Sequence, residues 1–91
     1  MWFLYIVRCI HGVLYVGISA DIEKRIVLHN AGKGARFTRM HRPVKLIYCE
    51  KFVRKGDALR REHEVKKLSK ARKEYLVRFG PGIRFPSPQG S

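Results

Sequence analysis

Trp2-Phe3-Leu4-Tyr5-Ile6-Val7-Arg8-Cys9 runs into Ile10-His11-Gly12, and then into Val13-Leu14-Tyr15-Val16-Gly17-Ile18. Two aromatic and β-branched runs on either side of a short segment ending in Gly make a β-hairpin pattern. A three-residue loop with Gly at its last position supplies the left-handed backbone that such a loop needs. That loop pairs Cys9 with Val13, Val7 with Tyr15 and Tyr5 with Gly17. Side chains alternate along a strand, so Tyr5, Val7 and Tyr15 then share one face. A two-residue His11-Gly12 turn would instead put the two tyrosines on opposite faces.

Beyond the hairpin, Ser19 and Asp21 are N-cap candidates for a helix that runs to about Ala31 and closes at Gly32. Ile22 and Ile26 mark its inward stripe, and Arg25 and His29 border that stripe. Residues 32–43 hold Gly, Pro and charge and read as a functional loop. Residues 44–52 read as a third strand. A second helix is expected over 57–68 with Asp57 as N-cap. Ser69 starts a third over 70–79, with Ala71, Tyr75 and Phe79 on one face, and Gly80-Pro81-Gly82 ends it. The expected fold is α+β: a small three-stranded antiparallel sheet flanked by helices, in the order ββαβαα. Residues 1–80 form the domain, and 81–91, with Pro86, Pro88 and Gly90, form a mobile tail.

The 91 residues carry 20 Lys plus Arg against 7 Asp plus Glu, a net charge of +13. The length fits one domain. The 45% hydrophobic content is too high for a disordered basic tail. No apolar run is long enough for a transmembrane helix. No basic segment and cleavage site mark a signal peptide, so a cytoplasmic location is expected. Cys9 and Cys49 lie in apolar runs without a CxxC pattern, and are read as buried free thiols. A folded domain this basic binds polyanions, nucleic acid first among them. A membrane surface is the competing polyanion, but no basic amphipathic helix with an aromatic apolar face supports it.

Between Glu23 and Glu50 there is no acidic residue. That stretch carries Lys33, Arg36, Arg39, Arg42 and Lys45, with Phe37 and Thr38 interleaved. A second basic run contains Lys66, Lys67 and Lys70. One-signed runs in a folded domain suit a phosphate backbone. Glu62 stands out against them. Ala58, Leu59, Val65 and Leu68 define the inward stripe of the second helix, and Glu62 falls inside it. An inward carboxylate is costly unless it is paired, as by Arg25, or holds a metal. Arg25 and His29, one turn apart, make a patch suited to a phosphate.

Taken in order, Tyr5, Tyr15-Val16-Gly17, Arg25, His29 and Glu62 form a set that resembles the GIY-YIG nuclease superfamily. The chain is most similar to its small single-domain members, related to the nuclease subunit of structure-specific endonucleases. The match extends through His29-Asn-Ala-Gly-Lys-Gly-Ala-Arg-Phe-Thr-Arg39 and Ala58-Leu-Arg-Arg-Glu-His-Glu-Val-Lys-Lys-Leu68 and covers about residues 2–76.

The resemblance implies a DNA endonuclease assisted by Mg²⁺ or Mn²⁺ and acting in DNA repair or processing. It matches Glu62 to the metal-binding glutamate, Arg25 to the phosphate-clamping arginine, and Tyr5 and Tyr15 to the signature tyrosines. His29 falls where many members carry His or Tyr. The first motif reads Phe3-Leu4-Tyr5, without its Gly. Ile18 replaces the lysine that one branch places beside the second tyrosine, so His29 becomes the expected general base, with Tyr5 and Tyr15 orienting the water or phosphate; the alternative is a Tyr15 base activated by the metal. Expected partners are DNA, branched or damaged structures included, and a protein supplying specificity. The alternatives are a non-catalytic nucleic-acid-binding module of the same fold and an interaction protein whose basic face binds an acidic partner.

Overall fold

The computed structural model describes residues 1–85, with the side chain of Phe37 left out. The elements are β1 (Trp2–Arg8), a 3₁₀ turn (Ile10–Gly12), β2 (Leu14–Ser19), α1 (Ile22–Asn30), α2 (Arg36–Met40), β3 (Lys45–Phe52), α3 (Lys55–Lys66), α4 (Lys70–Phe79) and β4 (Ile83–Arg84). They build an antiparallel sheet ordered β2-β1-β3-β4. The hairpin register is the one the three-residue loop requires: Val7 faces Tyr15 and Tyr5 faces Gly17. The Cys9 amide donates to Val13 O at 2.6 Å and closes the loop. His11 and Gly12 both take left-handed backbone, at φ 66° and 80°.

Alternation on the central strand β1 separates two cores. Leu4 and Ile6 join Val16, Tyr48 and Val65, with Leu68, Leu76 and Val77 packed around them; this is the α3–α4 face. Tyr5, Val7 and Cys9 join Val44 and Cys49, with Ile22 and Ile26 of α1 and Tyr15 beside them; this is the α1 face. Both cysteines are buried and free. Burying aliphatic side chains on both faces of one sheet, at roughly 1.5–3 kcal/mol each, is what lets so small a domain close.

Several expectations change. The sheet has four strands rather than three. Ile83–Arg84 pair with Tyr48 and Cys49, so residues counted in the tail belong to the sheet. The chain returns there because the Gly82 amide donates to the Tyr48 hydroxyl at 2.9 Å and the Phe85 amide to Ile47 O at 3.0 Å. The rest of the expected tail, 86–91, lies outside the described residues. The 32–43 loop contains the one-and-a-half-turn helix α2, so the ββαβαα order gains an α and a β. A helix this short has no hydrophobic periodicity to announce it.

Helix α3 starts at Lys55 after Arg54, and no side chain caps it. Asp57 instead sits in the first turn, where a negative charge complements the helix N-terminus, and pairs with Arg60 at 3.3 Å. On its inward stripe Ala58 and Val65 are buried, but Leu59 is exposed. Ala71, Tyr75 and Phe79 do share a side of α4, but that side faces out, with Tyr75 66% and Phe79 63% exposed. Leu76 and Val77 face the core instead, and Arg8 grips Glu74 with two bonds of 2.8 Å that fix the rotation of the helix.

Candidate functional site

Tyr5 rises from the middle of β1 on the α1 face, and its phenol lies across Gly17 of β2. A Cβ at position 17 would come within 2.5 Å of the Tyr5 hydroxyl, so the ring occupies the space a side chain would need. The Gly of Tyr15-Val16-Gly17 is therefore required by Tyr5 rather than by a turn. Beneath the phenol is His29, from the last turn of α1. The Tyr5 hydroxyl and His29 Nε2 are 2.8 Å apart, and His29 Nδ1 is 2.6 Å from Thr38 Oγ1 of α2. Gly34 gives His29 its room, because a Cβ there would collide with the imidazole. Tyr15 packs edge-on against the same imidazole, with ring centres 5.6 Å apart.

The sequence placed His29 against the phosphate; the structure puts it inside. It is 0% exposed and both ring nitrogens have partners. Burial lowers its pKa below the ordinary value, and the Arg25 charge lowers it further, so the ring is held neutral. Tyr5 is 1% exposed. Burial raises its pKa; Arg25 opposes this by hydrogen bonding and by charge, while Tyr15 and Glu62 add to the rise. Arg25 and Glu62 thus both act on the Tyr5 hydroxyl.

Arg25, Tyr15 and Glu62 are only partly covered. The Glu62 side chain is 18% exposed, and its ion pair is with Lys66 at 3.4 Å, one turn along the helix, rather than with Arg25. Ile18 pairs with Leu4 on the α3–α4 face, away from the tyrosines. Among the described residues no three His, Cys, Asp or Glu side chains group as a metal cage. A lone carboxylate still fits Mg²⁺, which keeps several waters and is commonly bound by one or two carboxylates together with substrate phosphates.

Lys33, Arg36, Arg39, Arg42, Lys45, Lys66, Lys67 and Lys70 are all exposed. Two are partly engaged: Lys66 with Glu62, and Arg42, which donates to Arg39 O and Asn30 O. The sequence reading missed two residues that build the site, Asn30 and Thr38, and one buried carboxylate that locks the opposite face, Glu50. Asn30 accepts from the Val44 amide at 2.8 Å and donates to Val44 O at 3.1 Å, tying α1 to the start of β3. Glu50, 8% exposed on β3, is clamped by Arg61. Thr38 was noticed only as an interruption of the basic run.

Residues 1–75 match the family model described as the GIY-YIG catalytic domain. The chain belongs to the GIY-YIG family. Its GIY-YIG relatives include a UPF0213 protein of Staphylococcus saprophyticus, 49% identical over 86% of this chain and 95% of the relative. Another, from Desulfotalea psychrophila, is 46% identical over 94% of this chain and 83% of its own. Among solved structures, a UPF0213 protein of Bacillus halodurans is 42% identical, covers 86% of this chain and 84% of its own, and superposes with a TM-score of 0.56. A protein of E. faecalis, 33% identical over 93% and 92% of the two chains, gives the same TM-score. A GIY-YIG domain is nuclease-type and implies a DNA substrate. Among the described residues no helix is long and apolar enough to cross a membrane.

Proposed function

We propose that this chain is a divalent-metal-dependent DNA endonuclease that hydrolyses phosphodiester bonds in DNA repair or processing. The observation that carries the reading is a carboxylate held at 18% exposure on α3, Glu62, in a domain of net charge +13, with Arg25 beside the buried Tyr5 and Glu62 near enough to act on that tyrosine by charge. A pure binder of polyanions gains nothing from a half-buried glutamate at that place.

Glu62 is the residue that would hold Mg²⁺ or Mn²⁺, which when bound polarises a phosphoryl oxygen and stabilises developing charge. Arg25 presents a planar fork of N–H donors to the scissile phosphate and stabilises the extra negative charge of the transition state. The exposed lysines and arginines of 33–45 and 66–70 hold the flanking backbone without reading bases.

Both ring nitrogens of His29 are engaged, Nε2 by the Tyr5 hydroxyl, so the first proton acceptor becomes that tyrosine. As water attacks phosphorus, Tyr5 Oη takes its proton and the Tyr5 proton passes to His29 Nε2. Oxygen bonds to phosphorus, the P–O bond to the leaving strand breaks, and that oxygen takes a proton from solvent. The imidazolium then returns its proton through Tyr5. Because Tyr5 gains and loses a proton together, no free phenolate forms against the burial that opposes it. Tyr15 orients the water or phosphate through its hydroxyl. The test is cleavage of a panel of linear, nicked, flapped and branched DNAs with Mg²⁺ or Mn²⁺, comparing the wild type with Glu62→Gln. Metal-dependent cutting that the variant lacks supports the reading. Equal cutting by both proteins, or full activity in EDTA, overturns it.

A further inference from the structure

Three contacts run in series from the site into the protein. Tyr5 Oη meets His29 Nε2 at 2.8 Å, His29 Nδ1 meets Thr38 Oγ1 at 2.6 Å, and Thr38 Oγ1 donates to Ala35 O at 2.9 Å. A carbonyl only accepts, so for all three contacts to be hydrogen bonds the single Thr38 hydroxyl proton goes to Ala35 O, which also takes the Arg39 amide at 3.0 Å. Its oxygen is then an acceptor toward His29, and Nδ1 must bring its own proton. A neutral imidazole protonated at Nδ1 has a bare lone pair at Nε2, so the proton of the first contact belongs to Tyr5. An imidazolium would also supply a proton to every contact. It would do so at 0% exposure with the Arg25 charge acting on it, where the charged form is disfavoured.

We infer that Thr38 is a positioning residue: its hydroxyl holds His29 in the Nδ1–H form, so that Nε2 accepts from Tyr5 and the lone pairs of Tyr5 are turned toward the site. The effect of this on turnover rests on the nuclease reading; the tautomer itself does not. With the opposite tautomer, Nε2–H would donate to Tyr5, the phenol proton would point out of this series of contacts, and the relay would run backwards.

The placement of Thr38 makes this more than a packing contact. It stands on α2, between Arg36 and Arg39, both exposed and basic, while its own side chain is 0% exposed. Gly34 leaves the imidazole the space it needs just before that helix, and Asn30 pins the far end of the same connection to Val44. The segment that offers cations to a phosphate backbone is therefore also the one that sets the protonation pattern behind Tyr5.

The test uses the whole chain labelled with ¹⁵N. Long-range ¹H–¹⁵N spectra above about pH 7.5, well over the ordinary imidazole pKa, read the protonation of each His29 ring nitrogen directly. The expected wild-type pattern is Nδ1 protonated and Nε2 bare. Thr38→Ser keeps this pattern; Thr38→Val, which keeps the branched shape but removes the hydroxyl, loses it. In cleavage assays Thr38→Val lowers kcat at least about tenfold with KM within about twofold, and Thr38→Ser restores most of kcat. A wild-type His29 protonated at Nε2 overturns the proposal, and so does a Thr38→Val protein that keeps a pure Nδ1–H ring. Wild-type protein that cuts no DNA while showing the Nδ1–H ring would sink the nuclease reading and leave the positioning role standing.

Discussion

Two buried tyrosines stand on neighbouring central strands, point to opposite faces of the sheet, and make different use of one hydroxyl. Tyr5 on β1 donates toward the neutral imidazole of His29, a base that can take a proton and give it back. Tyr48 on β3 donates to Glu50 Oε2 at 2.6 Å, and Glu50 is itself gripped by Arg61 at 2.8 and 3.1 Å. Burial, together with the bond to that carboxylate, pushes the Tyr48 pKa up to about 12. The carboxylates differ in the same way. Glu50 has its oxygens taken up by Arg61 and Tyr48, whereas Glu62 has an ion pair with a flexible lysine at 3.4 Å. A saturated polar cluster locks the fold; one with acceptor capacity left over can do chemistry.

The sharpest way to break that contrast is to neutralise the two carboxylates in turn. Glu62→Gln should reduce cleavage at least about a hundredfold, or ~2.7 kcal/mol in the barrier, and leave the urea midpoint nearly unchanged. Glu50→Gln should do the reverse, costing about 2 kcal/mol of stability through weakened charged hydrogen bonds while each folded molecule cuts normally. Paired denaturation curves and single-turnover assays decide it, and an exchange of the two outcomes would dissolve the distinction.

The tyrosines themselves give the next largest effect. Tyr5→Phe should slow turnover about 10- to 100-fold with DNA affinity retained. Tyr48→Phe should cost about 1–2 kcal/mol and leave turnover alone. Tyr15→Phe sharpens the assignment: if it loses far more than Tyr5→Phe, the proton acceptor is the more accessible phenol.

How far the site could be read from the chain follows from which interactions are local. The hairpin register was legible because three loop residues and period-two alternation determine it, and that put Tyr5 and Tyr15 on one face. Helical spacing made Glu62 and Arg25 stand out, since each breaks or borders an apolar stripe. His29 showed the same spacing, but spacing does not report depth, and its burial depends on Gly34 and Thr38 closing over it. Thr38 is nine residues away with no periodic relation to anything. Glu50 sits in a strand whose other face is also buried, so alternation could not mark it as inward. Strand β4 is two residues long and forms because Tyr48 offers the Gly82 amide a partner.

Binding should be the more forgiving property. With about 5 phosphates neutralised, log K should fall with log salt at a slope of roughly −4 to −5. Arg36→Ala or Arg39→Ala should each weaken binding a few-fold for every sequence alike. A flat salt response, or a loss confined to particular sequences, would remove the backbone role from the α2 side of the sheet.

Titration should show the smallest effect and set the two faces on opposite sides of neutrality. The unfolded chain protonates His29 near pH ~6.5, before the folded chain does. Stability is therefore fully present above that pH and declines below it, until the buried ring also protonates. Tyr48 is the mirror case. The unfolded phenol ionises near ~10 and the folded one near about 12, so stability is lost as pH climbs through that interval. Urea midpoints should fall less steeply below pH ~6.5 in His29→Gln, and less steeply above ~10 in Tyr48→Phe.

The shortness of β4 has a practical consequence for how the domain is cut. Among the described residues only Ile83, Arg84 and the Phe85 amide cover the outer side of β3. A chain ended after Phe79, where the last helix stops, would leave Ile47, Tyr48 and Cys49 with a bare backbone rim beside a hydrophobic patch, an invitation to strand addition between molecules. Shortened versions should therefore sediment as dimers or aggregates, whereas versions that end beyond Phe85 stay monodisperse. By covering that rim, two paired residues and one amide would act as a gatekeeper against self-association, and the sheet is completed past Phe79, where the last helix stops.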